Sequence, residues 1–337
     1  MGKMRRAWVE IIHKDKNITT ELSPYLQNFE VVDNLEGQLD SMRITLLNKG
    51  NKFMQNGWSF SKGEILEFKI KTLNWENEFE GEKEAGIGLF YVDEREYSKD
   101  SAEIKGISAP LQALDVVYSK TWESISLKRL GEEFAKKYNL KFIYLSPRDI
   151  ILKNLTQEKE TDFSYLNKIA QEEGVKLKLT YNSLVLFEES EFVKKEKVTT
   201  IDLLKVIDFS LVDRSSDIYD SVEVSYFDMI SFSEKKVVIT EAELKGEKGG
   251  TMKKTLKITK KPASLDIKTY ALKKLEQVNK RQKELEITDI GNRSVYAGST
   301  FEIINSGEYN GKYLATQVTK NLPGFVTKIK SYKISDS

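Results

Sequence analysis

The sequence predicts a mainly β protein built from two β-barrels, with a small helix-containing α+β module inserted between them. Three observations carry this. Residues 4–110 alternate apolar and polar positions with period two, are punctuated by turn residues, and sustain no stripe of period 3.6. Helical spacing takes over between about 113 and 189, and alternation returns from about Thr199. At 337 residues the chain is also too long for one compact core, so two or three domains are expected.

The first strand places Ala7, Val9 and Ile11 on one face and Trp8, Glu10 and Ile12 on the other, and Asp15-Lys16-Asn17 supplies turn chemistry. Similar strands follow at Met42–Leu47, Ile65–Leu73, Gly88–Asp93 and Ala102–Ile107. With no helix to cover a face, closure into a barrel is the economical way to hide strand edges. After Pro110 the pattern changes. Leu127, Leu130, Phe134 and Tyr138 recur at helical spacing behind Ser126 as N-cap, with Lys136 and Lys137 favouring the C-terminal end of the dipole. A second helix is expected over Asp162–Glu173, capped by Thr161 and stopped by Gly174, followed by a hairpin turning at Asn182-Ser183. Glu188–Lys197 reads as a charged exit linker. Strands at Ser221–Phe227 and Val237–Thr240 then open a second barrel. Residues 245–261, with seven lysines, one glutamate and three glycines, read as a long mobile loop, and Ser264 caps a helix near 265–283. The expected domains are therefore 1–112, with 190–212 available to complete that barrel, then 113–189 as the insert and 213–337 as the second barrel.

Composition excludes more than it suggests. The chain has no cysteine and one histidine, His13, which removes thiolate zinc sites, iron–sulfur clusters and nearly every triad or imidazole-rich metal centre. No catalytic, cofactor or metal residues are assigned, and an enzyme is not expected. The 53 basic and 52 acidic residues nearly cancel, and only nine of the former are arginine, so sequence-specific nucleic-acid binding is not expected. No window reaches the apolar length of a membrane span and no signal peptide follows Arg5-Arg6, so synthesis in the cytoplasm without membrane insertion is expected. Gly86-Ile-Gly88 lacks the third glycine of a dinucleotide fingerprint, and Gly307–Tyr313 is one residue short of a P-loop. One charge pattern stands out: Glu76, Glu78, Glu80, Glu82 and Glu84 alternate with other residues, so an extended chain would put five carboxylates on one side. This segment is either a solvated hairpin tip or an acidic surface facing a sliding polyanion or a basic partner.

The order of these pieces resembles a known family. Val32-Asp-Asn-Leu-Glu-Gly-Gln-Leu-Asp-Ser-Met-Arg-Ile-Thr-Leu46, then Lys62-Gly-Glu64 opening a strand and Gly88–Asp93, is similar to the first barrel of contractile-tail baseplate hub proteins, the phage late control D family. The helix pair at Ser126–Leu140 and Glu160–Gly174 resembles that family's middle module, and Tyr219–Tyr226, Val295–Ser299 and Gly311–Tyr313 resemble its C-terminal part. The resemblance implies two tube-like barrels per chain and a homotrimer. Three chains would then offer a six-barrel ring to the hexameric tail tube protein and a threefold end to the spike protein, among other baseplate proteins of a phage virion or phage-tail-like particle. The family carries no catalytic pattern to match. The rival reading is a peptidoglycan-binding or cell-wall-degrading tail component.

Overall fold

The computed structural model describes residues 4–214, 218–228, 232–244, 254–259, 267–280 and 282–334. The fold is mainly β with a small helical part. Seven strands come first: β1 (Arg6–His13), β2 (Lys16–Asn17), β3 (Leu26–Asn34), β4 (Ser41–Leu47), β5 (Ile65–Leu73), β6 (Glu82–Tyr97) and β7 (Ser101–Ile107). The insert holds β8 (Val117–Ser126), α1 (Leu127–Lys137), β9 (Lys141–Leu145), β10 (Ile151–Thr161), α2 (Asp162–Glu172), β11 (Lys176–Thr180) and β12 (Ser183–Phe187). Then come β13 (Thr200–Asp202), β14 (Asp208–Asp213), β15 (Ser221–Asp228), β16 (Ser233–Thr240), β17 (Thr255–Ile258), α3 (Ile267–Asn279), β18 (Lys283–Ile290), β19 (Thr300–Ile304), β20 (Gly311–Leu322) and β21 (Val326–Lys333).

The two β regions are joined. Their strands form one thirteen-stranded sheet in the order β14-β18-β21-β20-β3-β4-β7-β6-β5-β1-β2, with β19 on β20 and β13 on β19. The join is β20: Gly311–Leu314 pairs with β19, a bulge follows at Ala315/Gln317, and Gln317–Leu322 pairs with β3. A bulge bends a strand and increases its twist, which lets one strand leave one neighbour and take another. The sheet rolls around two cores. One holds Val9, Ile11, Phe29, Ile44, Phe68, Val92 and Ile104, and is completed by Leu322 and Phe325 from the far end of the chain. The other holds Ile201, Leu285, Ile287, Phe301, Tyr313, Val318 and Ile329.

The insert follows the pattern of its sequence. Ser126 Oγ accepts the Arg129 N–H at 3.2 Å and caps α1, which buries Leu127, Leu130 and Phe134. Tyr181 and Asn182, both at positive φ, make the two-residue turn between β11 and β12, one residue before the expected Asn182-Ser183, because Ser183 already pairs with Thr180. Beyond this, β8 and β10 pair antiparallel, and β9 adds to β12 in parallel.

Three expectations need correction. Residues 190–212 do not complete the first roll, because β13 pairs with β19 and β14 with β18. Ser221–Phe227 and Val237–Thr240 do not belong to the second barrel. They lie in a separate sheet, β16-β15-β17, whose Val222, Val224 and Ile239 pack on Tyr270, Ala271 and Leu275 of α3. Alternation marks a half-buried strand but does not say which core buries it. Within the expected loop 245–261, Thr255–Ile258 is the strand β17, pairing in parallel with β15, while residues 245–253, 260 and 261 lie outside the described residues, as does Ser264.

Candidate functional site

Residues opposite one another in a sheet share a face, so the register shows what the thirteen-stranded sheet presents away from its cores. Glu94, Lys105, Arg43 and Glu30 stand abreast on β6, β7, β4 and β3. Thr319, Lys328 and Thr288 do so on β20, β21 and β18, beside Lys330 opposite Glu286. Opposite charges are paired across strands: Lys105 with Glu94 at 2.9 Å and Glu103 at 3.2 Å, Arg43 with Glu103 at 3.6 Å, and Lys330 with Glu286 at 3.7 Å. Exposed pairs of this kind add little stability, so their effect is on the field the face presents. Between the two rolls lies a groove of about 500 Å³ lined by Glu30, Ser41, Arg43, Thr319, Lys328 and Lys330.

The five glutamates do not form one row. The chain is strand only from Glu82, and residues 74–81 bend. Glu82 and Glu84 lie on the polar face, 3.5 and 3.8 Å from Lys71, so the carboxylates there are balanced by a lysine on the neighbouring strand. Glu80 turns inward. Its Oε2 accepts the Trp75 N–H at 3.0 Å and the Glu76 N–H at 3.1 Å, and its Oε1 accepts from Arg293. Burial pushes this carboxyl up, but the Glu76 N–H and the Arg293 guanidinium outweigh it and hold it below its ordinary range. Glu76 also pairs with Arg293, at 2.6 Å, and Glu78 is exposed outside both networks. A turn replaces the extended run because Asn74 and Gly81 close it: Asn74 Oδ1 accepts the Gly81 N–H at 2.9 Å, and Gly81 O accepts the Asn74 N–H at 3.0 Å.

This turn clamps the two halves of the chain together. Trp75 Nε1 donates to Gly291 O at 2.9 Å, its ring lies 5.1 Å from that of Phe325, and the Arg5 guanidinium sits 3.8 Å over it. Gly291 has φ +52°, and a Cβ there would come within 2.4 Å of the indole, so only glycine fits this approach. Beside the clamp the ammonium of Lys320 is buried. It donates to Ala85 O at 2.6 Å and Arg293 O at 3.3 Å, and burial pulls its pKa down to about 8.

A second junction is Asp33–Asp40, part of the segment on which the sequence resemblance rested. Lys178 of β11 donates to Asp33, to Asn34 O and to Asp40, the last at 3.1 Å, while Asp33 Oδ2 accepts the Ala297 N–H at 2.8 Å. Glu36 pairs at 2.7 Å with both Lys176 of β11 and Lys280 just past α3. One short segment therefore ties the first roll to the insert, the second roll and the small sheet. Burial raises Asp40 to about 6 against the pull of Lys178. Sequence reasoning missed Trp75, Arg293 and Lys320, since nothing local marks a partner more than 200 residues away. Phe79, at the tip of the same turn, is 90% exposed.

His13 Nε2 lies 3.1 Å from Glu64 Oε2 at the end of β1. Among the described residues, no three His, Asp or Glu side chains group as metal ligands, and no helix is long and apolar enough to cross a membrane.

No family model matches the sequence, and no curated protein matches it. Solved structures do match the fold. A tail protein from Neisseria meningitidis MC58 is 13% identical, with 97% of each chain covered and a TM-score of 0.71. The 43 kDa tail protein of prophage MuSo2 from Shewanella oneidensis is 14% identical, with 97% of this chain and 98% of that one covered and a TM-score of 0.70. An E. coli component of the type VI secretion system is 11% identical, with 93% and 74% covered and a TM-score of 0.59. The chain therefore has the fold of phage tail proteins from end to end, as its resemblance to the baseplate hub family implied.

Proposed function

We propose that the chain is a structural hub subunit in the baseplate of a contractile tail or a related injection particle, where a homotrimer joins the hexameric tail tube to the trimeric spike. The observation that carries this reading is the match to two tail proteins over almost the full length of both partners, insert included. A function shared only by one roll of the sheet would not require the rest of the chain to follow.

Two further features support the reading. Two rolls per chain, joined through β20, give three copies six rolls, the number needed to meet a sixfold tube. The paired charges of the polar face suit a channel lining, since a surface with neither a strong field nor a large apolar patch retains neither polyanion nor protein in transit. On this reading Glu82 and Glu84 line the passage with Lys71, and the chain acts by assembly and not by catalysis.

The test is a copy count in purified particles by quantitative mass spectrometry. The reading expects half as many copies of this chain as of tube protein in one ring. Equal numbers, or absence from the particle, would refute it.

A further inference from the structure

The small sheet β16-β15-β17 and α3 form a unit with a core of its own. Val222, Val224 and Ile239 pack on Tyr270, Ala271 and Leu275, and among the described residues none of the other apolar cores takes a side chain from 219–279. The chain enters and leaves this unit side by side. Asn279 closes the neck: its Oδ1 accepts the Tyr219 N–H at 2.9 Å and its Nδ2 donates to Tyr219 O at 2.7 Å. Just below, the Arg214 N–H donates to Gln282 O at 2.8 Å, where β14 ends against the start of β18. A separately cored body on a two-strand neck can turn as a whole unless contacts beyond the neck hold it.

The contacts that reach from α3 to the rest of the chain are ionic. Lys273 meets Glu188 at 2.5 Å, and Lys280 meets Glu36 at 2.7 Å and Glu189 at 3.2 Å. Each of these carboxylates also has a partner outside the unit. Glu188 accepts from Ser146 Oγ and Arg148 Nε, both at 2.6 Å, Glu36 pairs with Lys176 at 2.7 Å, and Glu189 pairs with Lys176 and with the Tyr332 hydroxyl. Breaking a buried ion pair costs most when it leaves a bare charge behind. Here the lysines would return to water and every carboxylate would keep a partner.

We propose that residues 219–279 form a hinged domain, latched by Lys273 and Lys280 and able to undock as one piece while both rolls and the insert keep their fold. The latch acceptors lie on two different parts of the body, Glu36 on the first roll and Glu188 and Glu189 at the exit of the insert. A shift of the insert against the first roll therefore pulls the acceptors apart and releases the domain.

The chain has no cysteine, so pairs of spin labels on introduced cysteines are unambiguous. Electron–electron distance measurements on the full chain, with labels at exposed Lys235 of β16 and Lys153 of β10, should give one distance with the natural latch. Lys273→Glu/Lys280→Glu, which sets acid against acid, should replace it by a broad, shifted distribution, and the milder Lys273→Gln/Lys280→Gln should show the same component in smaller amount. Labels at Lys153 and Asn56, in the insert and in the loop after β4, should give the same single distance in all three chains. Persistence of the natural distance between Lys235 and Lys153 in both variants would overturn the proposal. So would a change between Lys153 and Asn56, since the unit and the body would then lose structure together.

Discussion

Replacing Lys320 by methionine should change how stability depends on pH more than it changes stability at any one pH. The ammonium is buried in the strand that joins both rolls and is held only by the carbonyls of Ala85 and Arg293. Its pKa is about 8 in the folded protein against 10.5 ordinarily. Between these values the unfolded chain binds more protons than the folded one, so stability rises with pH across that window. The cost of keeping the charge inside is fully present below pH 8. At 1.36 kcal/mol per unit the full difference is about 3 kcal/mol, of which about 2 kcal/mol is recovered between pH 8 and 9.5. Lys320→Met carries no such term. It instead leaves two carbonyls without a donor, a pH-independent cost of about 1–3 kcal/mol. Urea unfolding followed by tryptophan fluorescence, on both proteins at half-unit steps from pH 6.5 to 9.5, should therefore show curves parallel below pH 8. Above it they should diverge in favour of the natural chain by about 1.4 kcal/mol per unit. Tyr138 and Tyr332, whose hydroxyls are held protonated by burial and by Asp162 and Glu189, are common to both proteins and cancel. Curves parallel over the whole range would refute the claim that Lys320 is a buried charge whose desolvation outweighs the pull of Asp33.

Other outcomes follow from the junctions. Trp75→Ala should cost about 2–3 kcal/mol in the same unfolding assay, since the indole packs on Phe325 and Gly291 but is only half buried. Gly291→Ala should cost at least about 1 kcal/mol, from the left-handed backbone alone, and more from the indole it would strike. Lys178→Met, which strands Asp33 and Asp40 without their cation, should cost about 3–5 kcal/mol and shift the thermal melt accordingly. Arg43→Glu on the polar face should move stability by less than about 1 kcal/mol yet reduce the yield of working particles, measured as killing or infection per assembled tail.

Much of the local structure is legible in the sequence because local patterns produce it. Ile65–Leu73 alternates cleanly and is a strand over the same residues, and Ser126 and the Leu127, Leu130, Phe134 stripe locate α1 to within a residue. Pairing is another matter. Val222, Val224 and Tyr226 alternate as a barrel strand would, but the apolar partner they face is α3, and only the folded chain reveals this. The union of the two rolls rests on β20 meeting β3 from nearly 300 residues away, a contact no window can contain. The five glutamates form no single row for the opposite reason. Its period was real, but Asn74 and Gly81 impose a turn whose hydrogen bonds fold Glu80 back onto Arg293.

The central claim, that this chain acts as a threefold structural hub, is tested most directly by the mass of the purified protein. Light scattering coupled to size exclusion should give three times the 38.8 kDa of one chain for the protein alone, or that mass plus the mass of the bound spike once spike protein is added. A mass that stays near 38.8 kDa at every concentration, and with both spike and tube proteins present, would contradict it.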